Sequence, residues 1–229
     1  MNQAPIKAIF AIAVVFSASQ PLSLSASQAN AGSVDNIDSA LDYKKEGDWF
    51  VGLKVLHLAP DAKSVVSIGG EAKVASDTVP EIDLRYFLTD NLSLETVIGV
   101  AEHNVSAVGT ALGDLDLGST KVLPLTLSLQ YHFNHGNRFS PYIGVGLNHT
   151  FYVDHDPGDA LDISYEDGFG TVLNIGFDYF ISEKSFFNID IKTFDISTNV
   201  VVNAGPAGIA DASVDLNLLA VSVGYGWVF

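Results

Sequence analysis

A membrane-spanning antiparallel β-barrel of eight strands, all-β with short periplasmic turns and long extracellular loops, is the architecture this sequence predicts. Its 229 residues are 48% hydrophobic, yet beyond the N-terminal leader no continuous apolar stretch approaches the roughly 20 residues that a spanning helix needs. Apolar residues instead recur at every second position, in segments of about ten residues bounded by turn chemistry, as barrel strands require. The connections between these segments alternate between short and long.

Composition narrows the function classes. With 11 basic against 27 acidic residues the formal charge is −16, which repels polyphosphate, so no nucleic-acid partner is expected. The absence of cysteine excludes a disulfide scaffold, a thiolate zinc site, a cysteine nucleophile and an iron–sulfur cluster. Residues 1–31 read as a cleaved secretory signal: Lys7 forms the positive region, Ala8 to Phe16 the apolar region, and Ala29-Asn30-Ala31 the small-x-small cleavage site. Residues 32–47 are polar and acidic without alternation, a periplasmic lead-in or a segment folded back into the lumen. The barrel is expected over residues 48–229.

The eight segments follow in order. In the first, Trp49, Val51, Leu53 and Val55 alternate with Phe50, Gly52, Lys54 and Leu56. The second sets Ile82, Leu84, Tyr86 and Leu88 against Glu81, Asp83 and Arg85, three charges on one face that cannot meet lipid. In the third, Leu92, Leu94, Thr96 and Ile98 oppose Ser93, Glu95 and Val97. The fourth is the cleanest, with Leu123, Leu125, Leu127, Leu129 and Tyr131 opposite Pro124, Thr126, Ser128, Gln130 and His132. The fifth pairs Ile143, Val145 and Leu147 with Tyr142, Gly144 and Gly146, and the sixth pairs Leu173, Ile175 and Tyr179 with Asn174, Gly176 and Asp178. The seventh alternates Phe187, Ile189 and Ile191 with Asn188, Asp190 and Lys192. In the eighth, Val214, Leu216 and Leu218 oppose Asp215 and Asn217, and then Val221, Val223, Tyr225, Trp227 and Phe229 take the other parity. That change predicts a β-bulge near Leu218-Leu219.

Short turns fall at 89–91, 134–138 and 182–185, and long links near 59–78, 103–120, 154–167 and 197–212. Short turns are periplasmic in bacterial outer-membrane barrels, so both termini belong on that side, and Trp49, Tyr86, Tyr131, Tyr179, Phe187, Tyr225 and Trp227 fall where an aromatic girdle meets the headgroups. A secreted lipocalin-like barrel or a β-sandwich also alternates. A polar face poor in lysine and rich in small, amide and mixed-sign side chains favours lipid outside and a packed polar lumen.

Several stretches resemble the OmpW family of small outer-membrane proteins: Val79-Pro80-Glu81-Ile82-Asp83-Leu84-Arg85-Tyr86-Phe87, the Leu94-Glu95 pair, the run Leu123 to Phe133, the run Phe139 to Phe151, and Gly176-Phe177-Asp178-Tyr179. The resemblance implies an eight-stranded outer-membrane barrel, with a narrow apolar cavity that opens outward and passes small hydrophobic molecules. It also implies outer-membrane lipid and lipopolysaccharide as surroundings, with phage or bacteriocins as further partners in a non-conducting, adhesion or receptor role. No catalytic motif and no cofactor come with it, and a monomer is expected.

Inside an eight-stranded barrel there is room for little but side chains. The residues expected to form a polar floor are Lys54, Glu81, Asp83, Arg85, Glu95, Asp178, Asp190, Lys192 and Asp215. Leu56 is the candidate gate at the upper end of the first inward face. Such charges either form a salt-bridged plug or line an ion path. A closed floor would send an apolar solute sideways into lipid, and Pro124, Pro141, Gly144 and Gly146 mark a candidate seam between the fourth and fifth segments. The acids Asp154, Asp156, Asp159, Asp162, Glu166 and Asp167 lack an EF-hand series and read as a solvated loop, the alternative being a loop that gathers divalent cations bridging to lipopolysaccharide, and no dedicated metal site is expected. Local groupings of His103 with Ser106 and Glu102, and of His149 with Asp154, carry no nucleophile motif, and no enzyme is expected.

Overall fold

The computed structural model describes residues 43–134 and 136–229; the expected signal segment 1–31 and residues 32–42 of the lead-in lie outside the described residues. No described helix is long and apolar enough to cross a membrane. The described residues are mostly strand, which the alternating β-branched, leucine and aromatic residues favour. In chain order these are β1 (Trp49–Val66), β2 (Glu71–Val74), β3 (Asp77–Phe87), β4 (Leu92–Gly99), β5 (Ala101–Thr110), β6 (Gly113–His132), β7 (Phe139–Asp156), β8 (Asp162–Tyr165), β9 (Gly168–Ser182), β10 (Ser185–Asn203) and β11 (Ile209–Val228).

Antiparallel neighbours close a ring of eight: β1, β3, the β4–β5 pair, β6, β7, β9, β10 and β11, which returns to β1. The two short strands sit at the upper rim, β2 against β5 and β8 against β10. Much of the sequence read as long upper links is therefore paired strand: β1 runs up to Val66, β10 to Asn203, and β11 starts at Ile209. The barrel is thus taller on one side than a membrane needs, since ten or so residues suffice to cross.

That height explains a correction. The expected bulge at Leu218-Leu219 is absent, because β11 pairs with β1 from Phe50↔Val228 to Val66↔Ala212 and with β10 from Ser185↔Trp227 to Asn203↔Ile209 without a register shift. Leu218 and Leu219 change the hydrophobic parity while the backbone keeps its own. Val214, Leu216 and Leu218 point inward, and Asp215 and Asn217 point outward into water. Asp215 is consequently no lumen residue; it is exposed and accepts a hydrogen bond from the Ser197 hydroxyl at 2.8 Å. The same inversion occurs on β10, whose inner face passes from Asn188, Asp190 and Lys192 to Phe194, Ile196, Val200 and Val202 as its outer face passes from Phe187, Ile189 and Ile191 to Asp195, Ser197 and Asn199.

The barrel therefore has two storeys. Below, the wall is apolar outside and polar inside; above, it is apolar inside and polar outside. The lower outer face carries Leu53, Leu94, Leu127, Val145, Ile175 and Val223, all exposed in the isolated chain. Trp49, Tyr131, Tyr179, Phe187 and Trp227 stand exposed near the short-turn end.

Candidate binding cavity and its polar floor

At the short-turn end the interior is stopped by aromatic rings. Phe50, Phe87, Phe180 and Phe186 are buried together, with Phe50 4.7 Å from Phe87 and 4.9 Å from Phe186 between ring centroids. The first described residues fold in with them: Tyr43 is buried 5.0 Å from Phe180, and Lys44 is buried beside it in sequence.

Over the rings lies a network of charge. The Arg85 guanidinium donates through Nε and Nη2 to Asp83 at 3.0 and 2.9 Å, and through Nη1 to Asp178 at 2.9 Å. The same group lies 5.4 Å from the centre of the Phe186 ring and 5.3 Å from that of Tyr142. Lys192 donates to Asp190 at 2.6 Å and to Glu95 at 3.2 Å, and the Tyr142 hydroxyl donates to Asp190 at 2.8 Å. Lys54 sits 2.7 Å from Asp83, 3.9 Å from Glu81 and 4.0 Å from Glu95. Unpaired charges at this depth would be prohibitive, and alternating signs in contact make them tolerable.

The structure thus brings Lys54, Glu81, Asp83, Arg85, Glu95, Asp178, Asp190 and Lys192 into one cluster and leaves Asp215 outside it. The inward-facing Tyr142, Asn174, Asn188, Gln130 and His132 complete the network. They belong to the polar faces the alternation defined, but nothing in their spacing marks them as partners of charges on other strands.

Above the floor the lumen opens into a cavity of about 160 Å³. Its walls are almost wholly apolar: Leu56, Leu58, Ala101, Val122, Phe194 and Ile196 around the lower part, and Val105, Leu117, Val200, Val202 and Val214 higher up. Leu56, the candidate gate, stands in this wall, 8% exposed, immediately above the level of Lys54. Tyr152 and Tyr165 stack face to face at 4.8 Å on one side. Most of these residues do not stand out in the sequence, although the inward positions Phe194, Ile196, Val200 and Val202 keep one parity straight through residues 197–203, which turn spacing assigns to a loop.

The wall between β3 and β6 is interrupted near the level where floor and cavity meet. The β3–β4 ladder ends at Glu81↔Gly99, and the ladder to β6 skips from Ile98↔Leu125 to Ala101↔Val122. Val100 therefore has no ladder partner on either side and Gly99 none toward β6, with Pro80 on one flank and Pro124, which has no amide to give, on the other. Higher up the gap is closed again, by the Ala75 amide on the Asn104 carbonyl at 3.0 Å and the Glu102 amide on the Asp77 carboxylate at 3.1 Å. Val100 lines the cavity and is also 53% exposed on the outside, so the wall there is one side chain thick.

This moves the candidate seam. Pro124 borders the break, but Pro141, Gly144 and Gly146 do not: β7 is paired through Gly144↔Gln130 and Gly146↔Ser128 on one side and Pro141↔Phe177 on the other. The two glycines face inward, where a β-carbon at Gly144 would strike the Asn174 amide and one at Gly146 the Ser128 side chain. They are small because the polar lumen is crowded.

The acids of the upper rim turn outward or back onto the loops. Asp154 pairs with Lys121 at 3.0 Å, Asp159 accepts the Asp116 amide at 3.0 Å, and Glu166 accepts Asn199 at 2.7 Å. Among the described residues no three potential metal ligands converge. His103 points inward while Glu102 and Ser106 point outward, and His149 meets Asp167 at 3.2 Å rather than Asp154, so neither suspected grouping assembles.

A closed eight-stranded meander with an apolar outer band, an aromatic rim and a charged, plugged lumen defines a small outer-membrane β-barrel. The chain belongs to the OmpW family, whose sequence pattern matches residues 45–229. It is 32% identical over 196 residues to outer membrane protein W of Vibrio cholerae serotype O1, covering 81% of this chain and 90% of that protein. It is 24% identical over 194 residues to the dibenzothiophene metabolism operon protein PahQ of Pseudomonas aeruginosa, covering 82% and 91%. The crystal structure of the outer membrane protein OprG from Pseudomonas aeruginosa matches with a TM-score of 0.77 at 28% identity, over 83% of this chain and 99% of that one.

Proposed function

We propose that this barrel takes small hydrophobic molecules from outside the cell into the apolar cavity and releases them sideways, through the break at Gly99-Val100, into the outer membrane. The observation that carries the reading is the coincidence of a blocked floor with an interrupted wall. A solute that descends past Phe194 and Leu56 meets the ion-paired network and the aromatic rings beneath it, where each step would desolvate or separate charges. The break beside it opens at the same height, lined by Val79, Val100 and Ala101 and bordered by Pro80 and Pro124. A dry apolar cavity of about 150 Å³ suffices for a molecule the size of benzene, so the volume suits a small hydrocarbon or one ring of a larger one. The name of PahQ, which refers to an operon for an aromatic sulfur heterocycle, agrees with that class.

The test is uptake of a labelled alkane and of a small sugar by cells with and without the protein, after its insertion in the outer membrane is verified. Faster alkane uptake with unchanged sugar uptake is expected. Equal uptake of both, with and without the protein, would overturn the proposal.

A further inference from the structure

Floor and cavity meet at one side chain. Of the five carboxylates in the network, Asp83, Asp178, Asp190 and Glu95 each accept at least one hydrogen bond from Arg85 or Lys192. Glu81 accepts none among the described residues: its Oε1 is buried without a donor, and its only charge partner there is a loose one, Lys54 at 3.9 Å, whose Nζ leans toward Asp83 at 2.7 Å and itself makes no hydrogen bond. Yet Glu81 is only 4% exposed and lines the apolar cavity from below. The neighbouring polar groups of the wall are already occupied, since Asn148 donates to Thr126 at 3.0 Å and accepts from Thr150 at 2.7 Å.

A buried carboxylate left without a donor at the foot of an apolar chamber is a costly arrangement until something supplies the donor. From this we propose that the cavity floor is a head-group site, in which Glu81 accepts hydrogen bonds from the primary ammonium group of a short-chain amphiphile whose tail occupies the apolar space above. An ammonium offers three donors and the opposite charge, and the resulting charge-assisted bond is of the strong kind. A carboxylate-headed amphiphile would bring like charge to Glu81 and be rejected. The inference rests on the cavity being a solute site, and it names the solute class that the site prefers.

The experiment uses the protein in phosphatidylcholine nanodiscs, with empty nanodiscs subtracted, titrated with octylammonium, octane and octanoate. Octylammonium is expected to bind at least about tenfold more tightly than octane, as one charge-assisted hydrogen bond allows, with octanoate weakest. Glu81→Gln should abolish the preference, bringing octylammonium to the level of octane measured on the same variant, while Glu81→Asp retains it. In wild-type protein, solid-state NMR should show contact between the ¹⁵N-labelled ammonium and a glutamate carboxyl carbon, a readout that does not depend on any variant folding. Equal binding of octylammonium and octane, a preference that survives Glu81→Gln, or absence of the contact would overturn the inference. Octane that binds without an ammonium preference sinks this inference and spares the uptake reading. Ammonium contact at Glu81 with no uptake of alkane by cells does the reverse.

Discussion

The lower and upper halves of this barrel are made from the same strands, yet they obey opposite rules. On β10 the inner residues change from Asp190 and Lys192 to Phe194 and Ile196 within a single turn of the pleat, and on β11 the change falls between Ser222 and Leu218. The reason is the solvent. Lipid outside the lower half demands an apolar outer face and leaves polar residues for the lumen, whereas water outside the upper half permits polar outer residues and leaves the lumen free to be apolar. An apolar chamber over a charged floor follows directly from a barrel that outgrows its membrane.

The comparison can be broken by mutation. The largest effect is expected at Arg85, whose replacement by Met takes the cation from Asp178 and leaves Asp83 with Lys54 alone; loss of one partner from a buried ion pair costs about 3 to 5 kcal/mol, read as a lower urea midpoint for the protein in lipid vesicles. Next is Leu127→Arg, on the lower outer face, which should cost about 2 to 4 kcal/mol if that residue faces mid-bilayer. Leu56→Ala should cost about 2 kcal/mol, the low end for a buried leucine, because one side of Leu56 already faces the cavity. The smallest effect is predicted for Asp215→Lys on the upper outer face: within about 0.5 kcal/mol, as for other surface substitutions. A change of several kcal/mol at Asp215 would return it to the lumen and revive the bulge.

How much of this could be read from the sequence follows from the same division. In the lower half, alternation identified the lumen charges from Lys54 to Lys192, because the outer face there must be apolar and any charge within the strand must point in. That rule lapses above the membrane. Extended one storey too far, it places Asp215 inward and turns a break in hydrophobic parity at Leu218-Leu219 into a break in the backbone, which the unbroken register rules out. The floor's internal pairing, such as Arg85 with Asp178, joins residues 93 apart in sequence and depends on closure of the ring. Pro124 was noticed as a disruption, but the break it borders involves Gly99, Val100 and Pro80, whose ladders fail only in the assembled barrel.

Lateral release as proposed requires solute to leave through the wall between β3 and β5, and the chain's lack of cysteine makes a direct test simple. In Val79→Cys/Ala101→Cys the two thiols flank the break, and a short bis-maleimide added to intact cells bridges it. Alkane uptake should fall to the level of cells lacking the protein once the bridge forms, while either single variant treated alike retains uptake. Undiminished uptake through the bridged barrel would contradict lateral release and point to a path through the floor.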